Sequence, residues 1–283
     1  LLLGMVVSAL IYGALLETYT PGRLVQVIQG TAVVTAALNL VAMWKQESRS
    51  RERARAMETA RHPAFSAAWA TLMRQPDMAR LLVVIGLGTL GFGMADVLLE
   101  PYGGQALGLS VSQTTKLTAV LAGGGLIGFA VAWRVLGGGA RPLPVACLGA
   151  IIGVPGFAAI ILSSQAMAPA LFVAGTFATG LGAGLFGHAT LTATMRAAPR
   201  ERVGLALGAW GAVQATAAGI GVALGGIVRD VIIGAEGAGA SNTLLAYNTV
   251  FTIEILFLVL ALGAVYPMLR REAGRGAEGV YVP

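Results

Sequence analysis

The sequence of 283 residues is poor in charge, nearly free of cysteine and almost without histidine. Charged residues make up 11% of the chain, where soluble domains carry roughly a quarter, so an ordinary solvated surface cannot be built from it. The single Cys147 lies in an apolar run, which excludes a disulfide framework and a thiolate metal cluster. His62 and His188 are the whole imidazole complement, too little material for a Ser-His-Asp machine. H-E-x-x-H, paired metal-ligand spacing and G-x-x-x-x-G-K-[ST] are all missing. Together these gaps point away from an enzyme. The stretch GLGTLG, Gly86 to Gly91, matches G-x-G-x-x-G, but that motif binds a dinucleotide only after a strand and at a helix start. Here it lies inside an apolar run and reads as a packing surface.

What is present is hydrocarbon. Hydrophobic residues make up 56%, the mean hydropathy is +0.77, and 40 residues are glycine, the small residue that lets helix backbones touch in lipid. Apolar segments of spanning length run over 1–16, 24–44, 81–99, 112–133, 142–162, 169–195, 203–228 and 244–269. Barrel strands would alternate in polarity over about ten residues, so these continuous runs predict an all-α, polytopic membrane helix bundle with eight spans.

Counted by loop, sixteen of the nineteen Lys and Arg residues fall after the even-numbered spans, and only Arg23, Lys116 and Arg229 fall on the other side. Basic residues collect in cytoplasmic loops, so the C-terminus is expected to be cytoplasmic. The net charge of +6 therefore belongs to membrane topology rather than to nucleic acid.

The chain opens inside an apolar run with no charged flank or cleavage pattern, so it does not read as a signal peptide. The long polar link after the second span leads to a major-facilitator-like division: 1–45 as the last two helices of an N-terminal bundle, 46–80 as a cytoplasmic linker, 81–270 as a six-helix C-terminal bundle and 271–283 as a tail. Four further helices are expected upstream. In the linker, ESRSRERARAMETAR reads as a solvated helix or tether. The following Phe65, Ala68, Trp69, Leu72 and Met73 form one apolar face of an interfacial helix.

Few residues break the apolar runs. In a straight third span starting at Leu81, Asp96 and Glu100 lie about 22 Å and 29 Å along, against a core of about 30 Å. The Glu100 carboxylate is then expected at the far interface, before Pro101 and a Gly103-Gly104 turn. Asp96, one turn deeper on the same face, is expected to brace the bundle or line a polar pocket. Glu254 falls near the midplane and needs a partner, which Gln214 on the neighbouring span could supply; a protonatable site in a translocation path is the alternative. Gly180, Gly184 and His188 share a stripe at i, i+4 and i+8. Two readings compete for it: plain helix packing, or a flat recess admitting a planar macrocycle with His188 as an axial metal ligand.

The stretches MADVLLEPYGGQALGLSVSQTTKLTA, GLFGHATLTATM and GLALGAWGAVQATAAGIGVALGGIVRD resemble the PucC/LhaA family of major-facilitator-type proteins, which assist light-harvesting complex assembly in purple photosynthetic bacteria. The resemblance covers most of 80–230 and makes these spans helices five to twelve of a family member. It implies a multi-pass protein of the intracytoplasmic photosynthetic membrane associated with bacteriochlorophyll, and with carotenoid or lipid as further candidates. The implied partners are the α and β light-harvesting polypeptides and the reaction centre–LH1 complex, in a lipid membrane. The wording FGHATLTATM favours LH1 over LH2. By position, the family's signature segments correspond to Asp96, Glu100, Tyr102 and Gln105, to His188, Thr190 and Thr192, and to Trp210 and Gln214. The link WRVLGGGARP lacks the Asp and most of the basic pattern of solute carriers, which argues against transport-type gating. A small-molecule or proton-coupled transporter nevertheless stands as the alternative function, and a static subunit of a larger complex as a third.

Overall fold

The computed structural model describes residues 2–44, 65–236 and 239–278. The basic run at 49–61 and His62 lie outside them, as does the end of the expected tail. The described chain is helical, with no strand among its residues: α1 Leu2–Leu15, α2 Pro21–Met43, α3 Phe65–Met73, α4 Met78–Gly93, α5 Leu99–Leu107, α6 Val111–Gly137, α7 Pro142–Gln165, α8 Pro169–Ala197, α9 Val203–Glu236 and α10 Ala240–Glu278. Short 3-10 turns, Ala95–Val97 and Arg200–Arg202, precede α5 and α9.

Local chemistry starts these helices where the chain leaves lipid. Pro21, Pro142 and Pro169 occupy first-turn positions, where a missing N–H costs nothing. A capping box opens α6, with Ser110 Oγ accepting from the Gln113 N–H while Gln113 Oε1 accepts from the Ser110 N–H.

Seven helices among the described residues are long and apolar enough to cross a membrane. The protein is a polytopic helical membrane protein. The expected first span, 1–16, corresponds to the 14-residue α1, which rises about 21 Å and falls short of a core of about 30 Å. Eight full-length spans are therefore not what the described chain contains.

The tightest packing joins α8 to α6 and α7, and glycine makes it possible. A Cβ at Gly149 would stand 2.6 Å from the Gly182 carbonyl oxygen, and one at Gly175 would stand 2.7 Å from that of Gly156. On the α6 side, a Cβ on Gly124 or Gly128 would collide with the Phe177 and Leu181 carbonyl oxygens. Backbones this close maximise dispersion contact where lipid offers no hydrophobic drive. Around Tyr102 the core is aromatic instead: its ring meets Phe172, Tyr247 and Phe251 edge-on at 5.2–5.4 Å, and its hydroxyl donates to Ile160 O at 2.9 Å.

The expected straight third span is broken. Helix α4 stops at Gly93, the 3-10 turn intervenes, and α5 runs through Pro101, Gly103 and Gly104 to a left-handed Gly108 at φ +65°. The anticipated Gly103-Gly104 turn is thus helix. Gly103 serves close packing there, since a Cβ would lie 3.0–3.3 Å from Phe172, Leu109 and Thr114. Asp96 lies within the 3-10 turn and Glu100 in α5 beyond it, so the i, i+4 argument that placed them on one face does not apply.

Candidate functional site

A helix broken inside a membrane leaves backbone donors that hydrocarbon cannot satisfy. One of them is answered from the last helix: Glu254, fully buried, accepts from the Ala95 N–H through Oε1 at 2.6 Å. The sequence-based pairing of Glu254 with Gln214 is not formed: Oε1 serves the break, and Gln214 lines the cavities beside Asp96. Its Oε2 is buried without a partner.

With the break held in place, Asp96 points away from the core into open space between helices. It lines two neighbouring cavities, of about 340 Å³ and 370 Å³, which also share Phe92, Gly187 and Gln214. The first is the candidate site. Its walls carry Asp96 from the break, Gly180, Gly184 and His188 from α8, Trp210 and Gln214 from α9, Phe129 from α6, and Leu2 and Met5 from α1. Residues drawn from three separate stretches of sequence on account of their polarity or spacing therefore meet around one space.

Within it, the His188 ring lies 4.2 Å from the Phe129 ring at an interplanar angle of 57°, and Nδ1 is buried with no hydrogen-bond partner. The Trp210 indole N–H donates to Thr190 Oγ1 at 3.3 Å, and that hydroxyl donates to Phe186 O at 2.9 Å, which fixes α9 to α8 beside the cavity. Thr192, by contrast, turns back on its own helix and donates to His188 O.

The two glycines do not form an open recess. A Cβ on Gly180 would run into the Leu121 carbonyl oxygen, and one on Gly184 into that of Gly125. The stripe is a packing seam with α6, so a macrocycle cannot lie flat upon it; the cavity opens beside the seam, toward His188. A volume of about 340 Å³ is at the low end for small-molecule sites and accommodates an edge or a chain of a large ligand. For a pigment the donor set fits on that condition: an imidazole on the wall, apolar and aromatic walls, and a rim on α1.

Glu100 lies elsewhere. It is half-buried and accepts from Thr118 Oγ1 at 2.6 Å, beside a small cavity of about 190 Å³ that includes Ser8 and Tyr12 of α1. It is thus a tie between α5 and α6 rather than a freely solvated helix end. Gln105, another signature position, accepts from the Tyr247 hydroxyl at 3.1 Å, and the Arg229 guanidinium stands 5.2 Å over the Tyr247 ring. Sequence reasoning missed Tyr247, Phe92 and Phe129. A lone aromatic in an apolar run carries no signal of which helix it will face.

A family model described as PUCC protein matches residues 1–273. Over 273 residues the chain is 63% identical to Protein PucC of Rhodobacter capsulatus, covering 96% of this chain and 59% of that protein. It is 57% identical to Protein PucC of Rhodovulum sulfidophilum, over 82% of this chain and 51% of the relative. A Rhodobacter capsulatus protein described only by its place in the puhA-bchM intergenic region is 44% identical over 95% of this chain and 57% of its own length. The chain thus spans a little over half the length of the curated relatives it matches.

Proposed function

Since the chain belongs to the PUCC protein family, we propose that it acts in forming the light-harvesting antenna of a purple photosynthetic bacterium, as a non-enzymatic assembly factor in the intracytoplasmic membrane. It holds bacteriochlorophyll, nascent α and β polypeptides, or both, beside its bundle and passes them to the growing complex. The observation that carries this reading is the convergence of Asp96, His188, Trp210 and Gln214 on one cavity of a chain matched by the family model nearly end to end. A bound bacteriochlorophyll would supply a central magnesium that takes a nitrogen ligand. His188 would supply that nitrogen. Phe129, Phe92 and Trp210 would give apolar walls, and the packed α6–α8 seam would keep the ring to the cavity's open side. Carotenoid and lipid tails suit the same walls.

The C-terminus is assigned to the cytoplasm on the distribution of Lys and Arg. The spans α4, α6, α7, α8, α9 and α10 would form the C-terminal half of a major-facilitator-like molecule, with α1 and α2 from the other half. LH1 is taken as the antenna served, with LH2 as its competitor. The test is a strain lacking the protein: the LH1 near-infrared band should fall several-fold and return with the wild-type gene, with α and β polypeptides co-purifying from the restored strain. Unchanged LH1 and LH2 bands would contradict the proposal, and a fall confined to LH2 would move the assignment to that antenna.

A transporter reading has one observation in its favour, the two cavities that meet at Asp96. Uptake into proteoliposomes that Asp96→Asn abolishes would support it.

A further inference from the structure

The end of the bundle remote from α5 carries a different kind of pocket. The starts of α4 and α7, the end of α8 and the end of the spanning part of α10 surround about 410 Å³ of space lined by Asp77, Arg141, Arg196, Arg271 and Glu272, above apolar residues such as Leu81 and Met268. All four elements reach the limit of a span here, so the pocket lies at a membrane–water boundary, at the depth of lipid headgroups.

Its charges are mostly committed. Arg196 donates through Nη1 to Ala140 O at 3.0 Å and through Nη2 to Leu136 O at 3.3 Å, filling carbonyls at the C-terminal end of α6. Arg271 Nη1 donates to Asp77 Oδ1 at 2.6 Å, and Arg80 lies 3.5 Å from the same oxygen. Two groups remain. Arg141 precedes the first turn of α7 and makes no hydrogen bond or ion pair among the described residues. Glu272 Oε2 is buried without a donor.

These two groups make opposite demands. A buried acceptor with no donor is costly, and the exposed guanidinium of Arg141, without a partner among the described residues, attracts an anion at the pocket's rim. A simple anion would serve Arg141 and repel Glu272, while a simple cation would do the reverse. A molecule carrying both signs a few ångströms apart serves both at once.

We propose that this pocket binds a phosphate–ammonium zwitterion, the headgroup chemistry of phosphatidylethanolamine, with the phosphate toward Arg141 and the primary ammonium toward Glu272. The phosphate gains charge-assisted hydrogen bonds from guanidinium, and the ammonium donates to the Glu272 carboxylate on the pocket wall. A membrane lipid and a soluble glycerophosphoethanolamine share that chemistry. The site is separate from the His188 cavity and does not depend on the pigment reading.

The test delipidates the full-length protein in detergent and titrates three phospholipids with identical acyl chains, reading the unfolding temperature. Phosphatidylethanolamine should give half-maximal stabilisation at about tenfold lower concentration than phosphatidylcholine, whose quaternary ammonium cannot donate, or phosphatidylglycerol, which has no cation. Glu272→Gln should erase the preference for ethanolamine over glycerol while leaving a response to phosphate. Arg141→Gln should weaken the response to all three lipids. Chain-free glycerophosphoethanolamine separates the sources: no shift assigns the site to the lipid, and an equal shift assigns it to a soluble zwitterion. Equal responses of the wild type to the three lipids would overturn the proposal, as would an ethanolamine preference that survives both substitutions.

Discussion

Glycine does opposite work on the two sides of α8. Toward α6 and α7, Gly180, Gly182 and Gly184 are pressed against neighbouring backbones, and any Cβ would strike a carbonyl oxygen. Toward α9 the glycines face space: a Cβ on Gly187 would find nothing nearer than Gln214 Nε2 at 4.0 Å, and one on Gly211 would meet nothing within that distance. The first side is a dry seam that fixes the bundle. The second is a gap that the broken α4 leaves and that polar side chains line. One residue type gives rigidity where two backbones converge and volume where a helix is interrupted.

The sharpest way to break this contrast is to put side chains on both surfaces. Gly180→Leu forces a branched chain into the α6 backbone and should cost more than about 3 kcal/mol, read as loss of folded protein in detergent. Gly211→Ala, with open space for its methyl inside α9, should do no damage and stabilise by up to about 1 kcal/mol. Equal damage at the two positions would erase the distinction.

Next in size is the support of the gap. Glu254→Leu leaves the Ala95 N–H buried and unpaired and should destabilise by about 1–3 kcal/mol, whereas Glu254→Gln keeps an acceptor oxygen and should cost less. Equal losses would mean that the carboxyl does something other than cap the break. A smaller effect is expected at the outer end, where Tyr247→Phe removes the bond to Gln105 and should cost about 0.5–1.5 kcal/mol in the same measurement.

The seam was more legible in the sequence than the gap. Hydropathy marked where the long helices lie, because a continuous apolar run in lipid has one way to satisfy its backbone, but α4 stops six residues short of the expected end and α9 and α10 run eight and nine residues past theirs. The i, i+4, i+8 spacing of Gly180, Gly184 and His188 placed them on one stripe, though not on which neighbour the glycines would close. The break at Gly93 was hidden. The group that satisfies it lies 159 positions away in Glu254, and nothing near Asp96 announces that a distant carboxyl will accept from Ala95. With the helix taken as straight, Glu100 followed Asp96 onto one face, the Gly103-Gly104 pair passed for a turn, and Glu254 was given to Gln214. The first follows from the unseen break, and the third from the unseen bond between Glu254 and Ala95. The meeting of Asp96, His188 and Gln214 is likewise tertiary: polarity singled them out, and only packing joined them.

The measurement that bears most directly on the central idea, that the gap beside His188 receives a pigment, is the near-infrared absorbance per mole of gently purified full-length protein, wild type against His188→Leu. A pigment band should be present in the wild type and fall several-fold in the variant, at an unfolding temperature that stays within a few degrees. A wild-type protein without colour, or a variant that keeps its full band, would contradict it.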